Sequence, residues 1–174
     1  MPNQQPTARI SVQVSGALLV KVGPQGVADN RLEDLGYTAN GARIQEEDFF
    51  EEIHSDEQGG DSGPPVELVY HGKRVRVTLE LVKWDATVAD KLAARLTNGA
   101  PSPGKQYEAG IVMIGGNKAF RLVLKSAVGS WDLPVAIVRG QFEMNKGSRA
   151  SRLLIAFECY PDESGFIYKP YTGT

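Results

Sequence analysis

The sequence predicts a mainly β domain, an antiparallel β-sandwich or partly open barrel with one flanking α-helix at about 85–97. Three observations predict it. The first is the run Arg74-Val75-Arg76-Val77-Thr78-Leu79-Glu80-Leu81, in which apolar and polar residues alternate without a break. Alternation puts Val75, Val77, Leu79 and Leu81 on one face and Arg74, Arg76, Thr78 and Glu80 on the other, the signature of a strand with one buried side. The second is a series of strand-like stretches separated by glycine- and asparagine-rich turns, the spacing of a sandwich or barrel. The third is that only one segment carries helical periodicity, Asp85 followed by Val88, Ala89, Leu92, Ala93 and Leu96.

In chain order, Ala8 to Val14 alternate as a half-buried strand, Leu18 to Val22 are its expected continuation after Gly16, and Gly23-Pro24 breaks it. Asn40-Gly41 lies between two short extended segments, and both residues tolerate positive φ, so a hairpin turn is expected there. Residues 43–54 read as a strand, with a short helix as the competing reading because glutamate favours helix, and 55–65, rich in glycine and proline, as a flexible loop or an arm. Val66 to His71 form a strand that a tight turn at His71-Gly72-Lys73 joins to the long strand 74–84. In the helix Asp85 is the expected N-cap, with Asn98-Gly99 as the stop and Pro101 and Pro103 beyond it. Tyr107 to Ile114, Lys118 to Ala127, Leu133 to Asn145 and Ser151 to Tyr160 supply further strands, and 161–174 is a turn-rich extension. The 174 residues suit one domain.

Composition excludes more than it assigns. Apolar residues make up 41% and charged residues 23%, as in a folded domain, and the net charge of -2 offers no global basic field for nucleic acid. No secretory signal is expected at the polar, proline-marked N-terminus, and no apolar run is long enough to span a bilayer. The single cysteine, Cys159, sits in a strand pattern and reads as a buried thiol. The two histidines, His54 and His71, lie in separate strands, so the expectation is no metal site and no cofactor. No serine sits in a nucleophile elbow, and Gly115-Gly116-Asn117-Lys118 lacks the spacing of a phosphate loop; no catalytic residue is assigned and enzyme activity is not expected.

Charge is segregated along the chain. Residues 44–63 hold Glu46, Glu47, Asp48, Glu51, Glu52, Asp56, Glu57 and Asp61 with no lysine or arginine, whereas Arg139, Lys146, Arg149 and Arg152 make 139–152 basic. Ordinary solubility accounts for such a pattern, and so does a head-to-tail interface in which one copy's acidic patch meets the next copy's basic patch. Asp56, Glu57, Asp61, Arg139, Lys146, Arg149 and Arg152 are the candidate inter-subunit residues.

Three stretches resemble the major tail or tail-tube proteins of tailed bacteriophages: Leu35 to Ala42 with the acidic strand after it; Asp56 to Pro65 leading into Val66 to Gly72 and the alternating strand; and Gly140 to Arg149 followed by Leu153 to Gly165. The resemblance implies a β-sandwich flanked by a helix, assembled into hexameric rings whose strands join in a continuous barrel. The rings stack into a tube through which DNA passes, in a virion tail built in the host cytoplasm. Implied partners are further copies, other tail proteins such as sheath, terminator or baseplate, and DNA in transit, with no membrane. Glu46, Asp48, Glu52 and Glu80 are the candidate channel-lining residues, since an acidic wall repels phosphates. A phage neck, terminator or capsid-decorating protein is the alternative within that class. A small-ligand or carbohydrate-binding β domain, with Trp84, Trp131, Tyr107 and Tyr171 as stacking groups, is the alternative outside it.

Overall fold

The structure, a computed structural model, describes residues 11–13, 18–94, 119–146 and 151–173. Its strands are β1 (Ser11–Gln13), β2 (Leu19–Pro24), β3 (Glu33–Ile53), β4 (Glu67–Trp84), β5 (Phe120–Lys125), β6 (Trp131–Lys146), β7 (Ser151–Tyr160) and β8 (Lys169–Pro170), with one helix, α1 (Ala86–Ala94). The order β3-β2-β5-β6-β7-β4 closes on itself through a β3–β4 pairing, giving a six-stranded antiparallel barrel with β1 added alongside β3 and β8 alongside β6. Of the two architectures expected, the chain adopts the barrel; two separate stacked sheets are not formed by the described residues.

The barrel interior is what the alternation dictates. Val75, Val77, Leu79 and Leu81 of β4 are completely buried and meet Leu153, Ile155, Phe157 and Cys159 of β7, Leu122 and Leu124 of β5, and Val20 and Val22 of β2. Cys159 is a core residue, and burial pushes its thiol pKa up, away from nucleophile chemistry. Helix α1 covers one barrel end. Asp85 caps it by accepting from the Val88 amide at 2.9 Å, while Val88, Ala89 and Leu92 enter the core and Lys91 reaches Glu33 at 2.7 Å. The expected end of this helix at 95–97, the strand 107–114, the turn 115–117 and Arg149 lie outside the described residues.

Two expected turns are bulges instead. Asn40-Gly41 does not reverse the chain: Tyr37 pairs with Lys83, Thr38 with Leu81 and Ala42 with Leu79, all on β4. The extra residues kink β3, with Gly41 at φ 81 and the Thr38 hydroxyl accepting from the amides of both Leu18 and Gly41 at 3.0 and 3.1 Å. A strand wrapping a tight barrel needs such a kink, and a positive-φ glycine serves a bulge as well as a hairpin. Likewise Gly72 pairs with Phe49 and Tyr70 with Phe50, so His71 is the extra residue of a bulge and β4 runs on through it. The true reversal is the 54–66 connection, ordered by the 3-10 turns Asp56–Gln58 and Gly60–Ser62. Ser11–Gln13 and Leu19–Val22 run along the same edge of β3, opposite β4, in one continuing register, and residues 14–17 between them lie outside the described residues.

Candidate functional site: an arm and the barrel wall behind it

Strands β3 and β4 outrun the barrel. β7 accompanies β4 only from Val75 to Leu81, and β1 accompanies β3 only from Arg43 to Gln45. From Glu47↔Arg74 to Ile53↔Glu67 the two strands pair only with each other among the described residues. At ~3.3 Å per residue this ribbon projects about 20 Å before its terminal loop, and both of its outer edges lack a strand partner among the described residues. The barrel behind it closes through the β3–β4 pairing, and β6 beyond Ala136 is a second stretch with one strand partner, β7, among the described residues.

The arm's side chains follow the same alternation as the core, without a layer to bury them. On the face continuous with the barrel interior lie Glu46, Asp48, Phe50 and Glu52 of β3 opposite Lys73, Tyr70 and Leu68 of β4. Phe50 and Tyr70 stack at 5.3 Å, yet Phe50 is 37% exposed, Tyr70 54% and Leu68 59%. Val69 and Ile53 are exposed on the opposite face, and Val66 is exposed where the ribbon ends. An apolar strip of this size on a projecting ribbon is a contact surface in search of cover.

At the root of the arm sits a locked carboxylate. Glu46 is buried, accepts from Lys73 Nζ at 2.9 Å and accepts from the Tyr168 hydroxyl. Burial alone would raise its pKa; the Tyr168 and Lys73 contacts outweigh burial and hold it below the ordinary carboxylate value. Tyr168 belongs to the segment after β7, which crosses the barrel end from which the arm leaves. Its ring packs edge-on against Trp131 at 5.5 Å, β8 pairs with Trp131 and Asp132, and the Tyr171 amide donates to Ser130 at 2.8 Å. Asp162 closes the turn before it, accepting from the amides of Ser164 and Phe166 at 2.9 Å. The turn-rich extension is therefore a docked strap.

The candidate channel-lining residues fall in different environments. Glu46 is committed to Lys73 and Tyr168. Asp48 lies 3.8 Å from Lys73, and Glu52 3.4 Å from His54, on the same face of the arm. Glu80 is on the opposite, outward face of β4 and pairs with Arg152 at 3.1 Å. Of the candidate inter-subunit residues, Asp56, Glu57 and Asp61 sit in the loop at the arm tip, and Lys146 ends β6. Arg139 reaches Glu158 at 3.0 Å. Arg74 lies over the Phe49 ring at 5.2 Å and 3.8 Å from Glu158, rather than pairing with the acids of 43–54.

Sequence reading missed Glu158, Tyr168 and the Arg121 clamp. Arg121 grips Asp132 through two hydrogen bonds at 3.0 and 2.8 Å, and reaches Asp29 at 2.7 Å and the Val27 carbonyl at 2.8 Å. No periodicity or motif announces such pairs, because their members are brought together by strand register alone.

The stacking groups of the carbohydrate alternative do not converge. Trp84 packs at the helix end of the barrel, Trp131 against Tyr168, and Tyr171 beneath Lys125 at 5.7 Å. Tyr107 lies outside the described residues. The hollow between β2 and α1, lined by Val22, Pro24, Val88 and Phe120, has room for about one water. Among the described residues no cluster of His, Cys, Asp or Glu is arranged to hold a metal ion, and no helix is long and apolar enough to cross a membrane.

The architecture is thus a closed antiparallel barrel, capped by one helix and one strap, with a projecting two-stranded arm. Compared with known proteins, the chain matches no family model and no curated sequence.

Proposed function

We propose that this chain is a structural virion protein that assembles with copies of itself into stacked rings forming a phage tail tube. The resemblance to tail-tube proteins implies hexameric rings, and the tube is a conduit for DNA. One observation carries the reading: among the described residues, the β3–β4 arm projects past the closed barrel with both strand edges unpaired and with Phe50, Tyr70 and Leu68 exposed. Open edges invite strand pairing with a neighbour, and a protein that kept such a ribbon exposed would risk uncontrolled aggregation. A polymer covers both features at once. Asp48, Glu52 and the tip acids Asp56 and Glu57 give the arm a negative surface, which would repel phosphates and let DNA slide past. Partners in this reading are further copies first, then the tail proteins that cap or surround the tube.

The test is negative-stain microscopy of the purified chain beside a variant in which Phe49–Gly72 is replaced by a two-residue turn. The intact chain should form rings or tubes of uniform width. The shortened chain should remain monomeric while its circular dichroism keeps the barrel signal, because the arm adds nothing to the core. A full-length chain that stays monomeric at high concentration, or a shortened one that still forms tubes, defeats the proposal.

A further inference from the structure

The outward face of the barrel wall carries a second unusual charge arrangement, one that the linear charge pattern does not reveal. Glu158 projects outward from β7, yet is only 5% exposed, because Arg139, Arg74 and the Tyr160 hydroxyl close over it at 3.0, 3.8 and 3.1 Å. Arg76 lies beside Glu158 in the β4–β7 register, and Arg43 faces the same way one row further along, beside Thr78. Both are exposed, and neither has an ion-pair partner among the described residues. Glu158, and Glu47 opposite Arg74 in the β3–β4 register, therefore share this face with four guanidinium groups. With strands ~4.8 Å apart and same-face residues ~7 Å apart, the four lie within a patch on the order of 15 Å across.

We propose that this arginine patch, Arg43, Arg74, Arg76 and Arg139 around Glu158, is the docking surface for the acidic arm of a second copy. The proposal rests on the self-assembly reading above and names the surface that the arm meets. Three features select that occupant. The charges are opposite: the arm presents Glu47 and Glu51 on one face, Asp48 and Glu52 on the other, and Asp56 and Glu57 at its tip. The repeats agree, since both surfaces are pleated sheet and space their side chains by the same two-residue step, which suits carboxylate–guanidinium pairing. The contact also cannot be made within one molecule: the arm is the rigid continuation of β3 and β4, strands that themselves form part of this wall. A surface that meets a different surface on the next copy gives a head-to-tail interface, which propagates into rings or stacks. Arg152, a candidate from the sequence, is engaged with Glu80, whereas Arg43 and Arg76, unremarkable in the linear charge pattern, are the cations of this patch without an ion-pair partner among the described residues.

Charge exchange tests this. A variant with Arg43→Glu and Arg76→Glu and another with Glu51→Lys and Glu52→Lys alter exposed positions only, so both should match the parent in circular dichroism. In sedimentation velocity each variant alone should need at least ten-fold more protein than the parent to assemble. An equimolar mixture should recover assembly, because each arm then faces a patch of opposite sign. If the parent assembles and the arginine variant assembles equally well, the patch is not the receptor, although self-assembly stands. If each variant fails alone and the mixture fails too, the arm is not the occupant. Duplex DNA binding by the parent that Arg43→Glu/Arg76→Glu abolishes, measured by fluorescence anisotropy, would assign the patch to nucleic acid instead. A parent that never assembles overturns both proposals.

Discussion

Two halves of the same strand carry opposite fates. From Val75 to Leu81, β4 is flanked by β3 on one side and β7 on the other, and each alternate apolar side chain is completely buried. From Glu67 to Arg74 the chain continues with the same extended geometry and the same partner β3, but β7 has turned away into the strap, and Leu68, Val69 and Tyr70 stand in solvent. Hydrogen bonding between β3 and β4 persists across the boundary; what stops is the layer above. Burial in a barrel belongs to the closure of the sheet, and strand formation alone does not provide it.

The comparison breaks most visibly at matched leucines. Leu79→Ala removes a fully buried side chain of the barrel half and should cost ~2–5 kcal/mol in urea unfolding. Leu68→Ala, on the same strand, should change the stability of the monomer by no more than ~0.5 kcal/mol while weakening assembly. Equal losses at the two sites would mean that the arm packs against the barrel. A somewhat smaller effect is expected where β3 crosses close to the far end of β4. Gly36 has φ 153, and a Cβ there would lie 2.1 Å from the Lys83 carbonyl oxygen, which is backbone and cannot swing aside. Gly36→Ala should lower stability by ~1–3 kcal/mol, read as a fall in thermal midpoint, whereas alanine at Gly72 in the arm bulge meets no atom within 4 Å and carries only the cost of its positive φ.

The boundary itself gives a pH signature as well as a loss of stability. Tyr168→Phe deletes the hydroxyl that the strap donates to Glu46 and should cost ~1.5–3 kcal/mol at neutral pH, the range for hydrogen bonds to charged groups. Because the folded-state pKa of Glu46 lies below the ordinary 4.5, its contribution to stability is present above that value and is lost as pH falls through the folded pKa. The gap between parent and Tyr168→Phe should therefore narrow as unfolding is repeated at successively more acid pH below 4.5. A gap that stays constant down to the acid limit would mean that Tyr168 acts by packing on Trp131 and not through the carboxylate.

Much of this was legible in the chain itself. Strict alternation over 74–81 determined which β4 residues are core, because a strand's side-chain period of two allows no other division. The Asp85 cap and the apolar spacing after it determined α1, and the acid-rich stretch with its glycine–proline loop marked the arm's composition. Only the tertiary structure decided that Asn40-Gly41 and His71-Gly72 bend strands instead of reversing them, since a positive-φ glycine satisfies a bulge and a turn equally well. Register likewise decided that Glu46 would be clamped by Tyr168, that Glu80 would face away from it, and that Arg74 and Arg139 would close over Glu158 with Arg43 and Arg76 on the same face. These residues are far apart in the chain, and a local pattern carries no information on which strands become neighbours when a sheet closes.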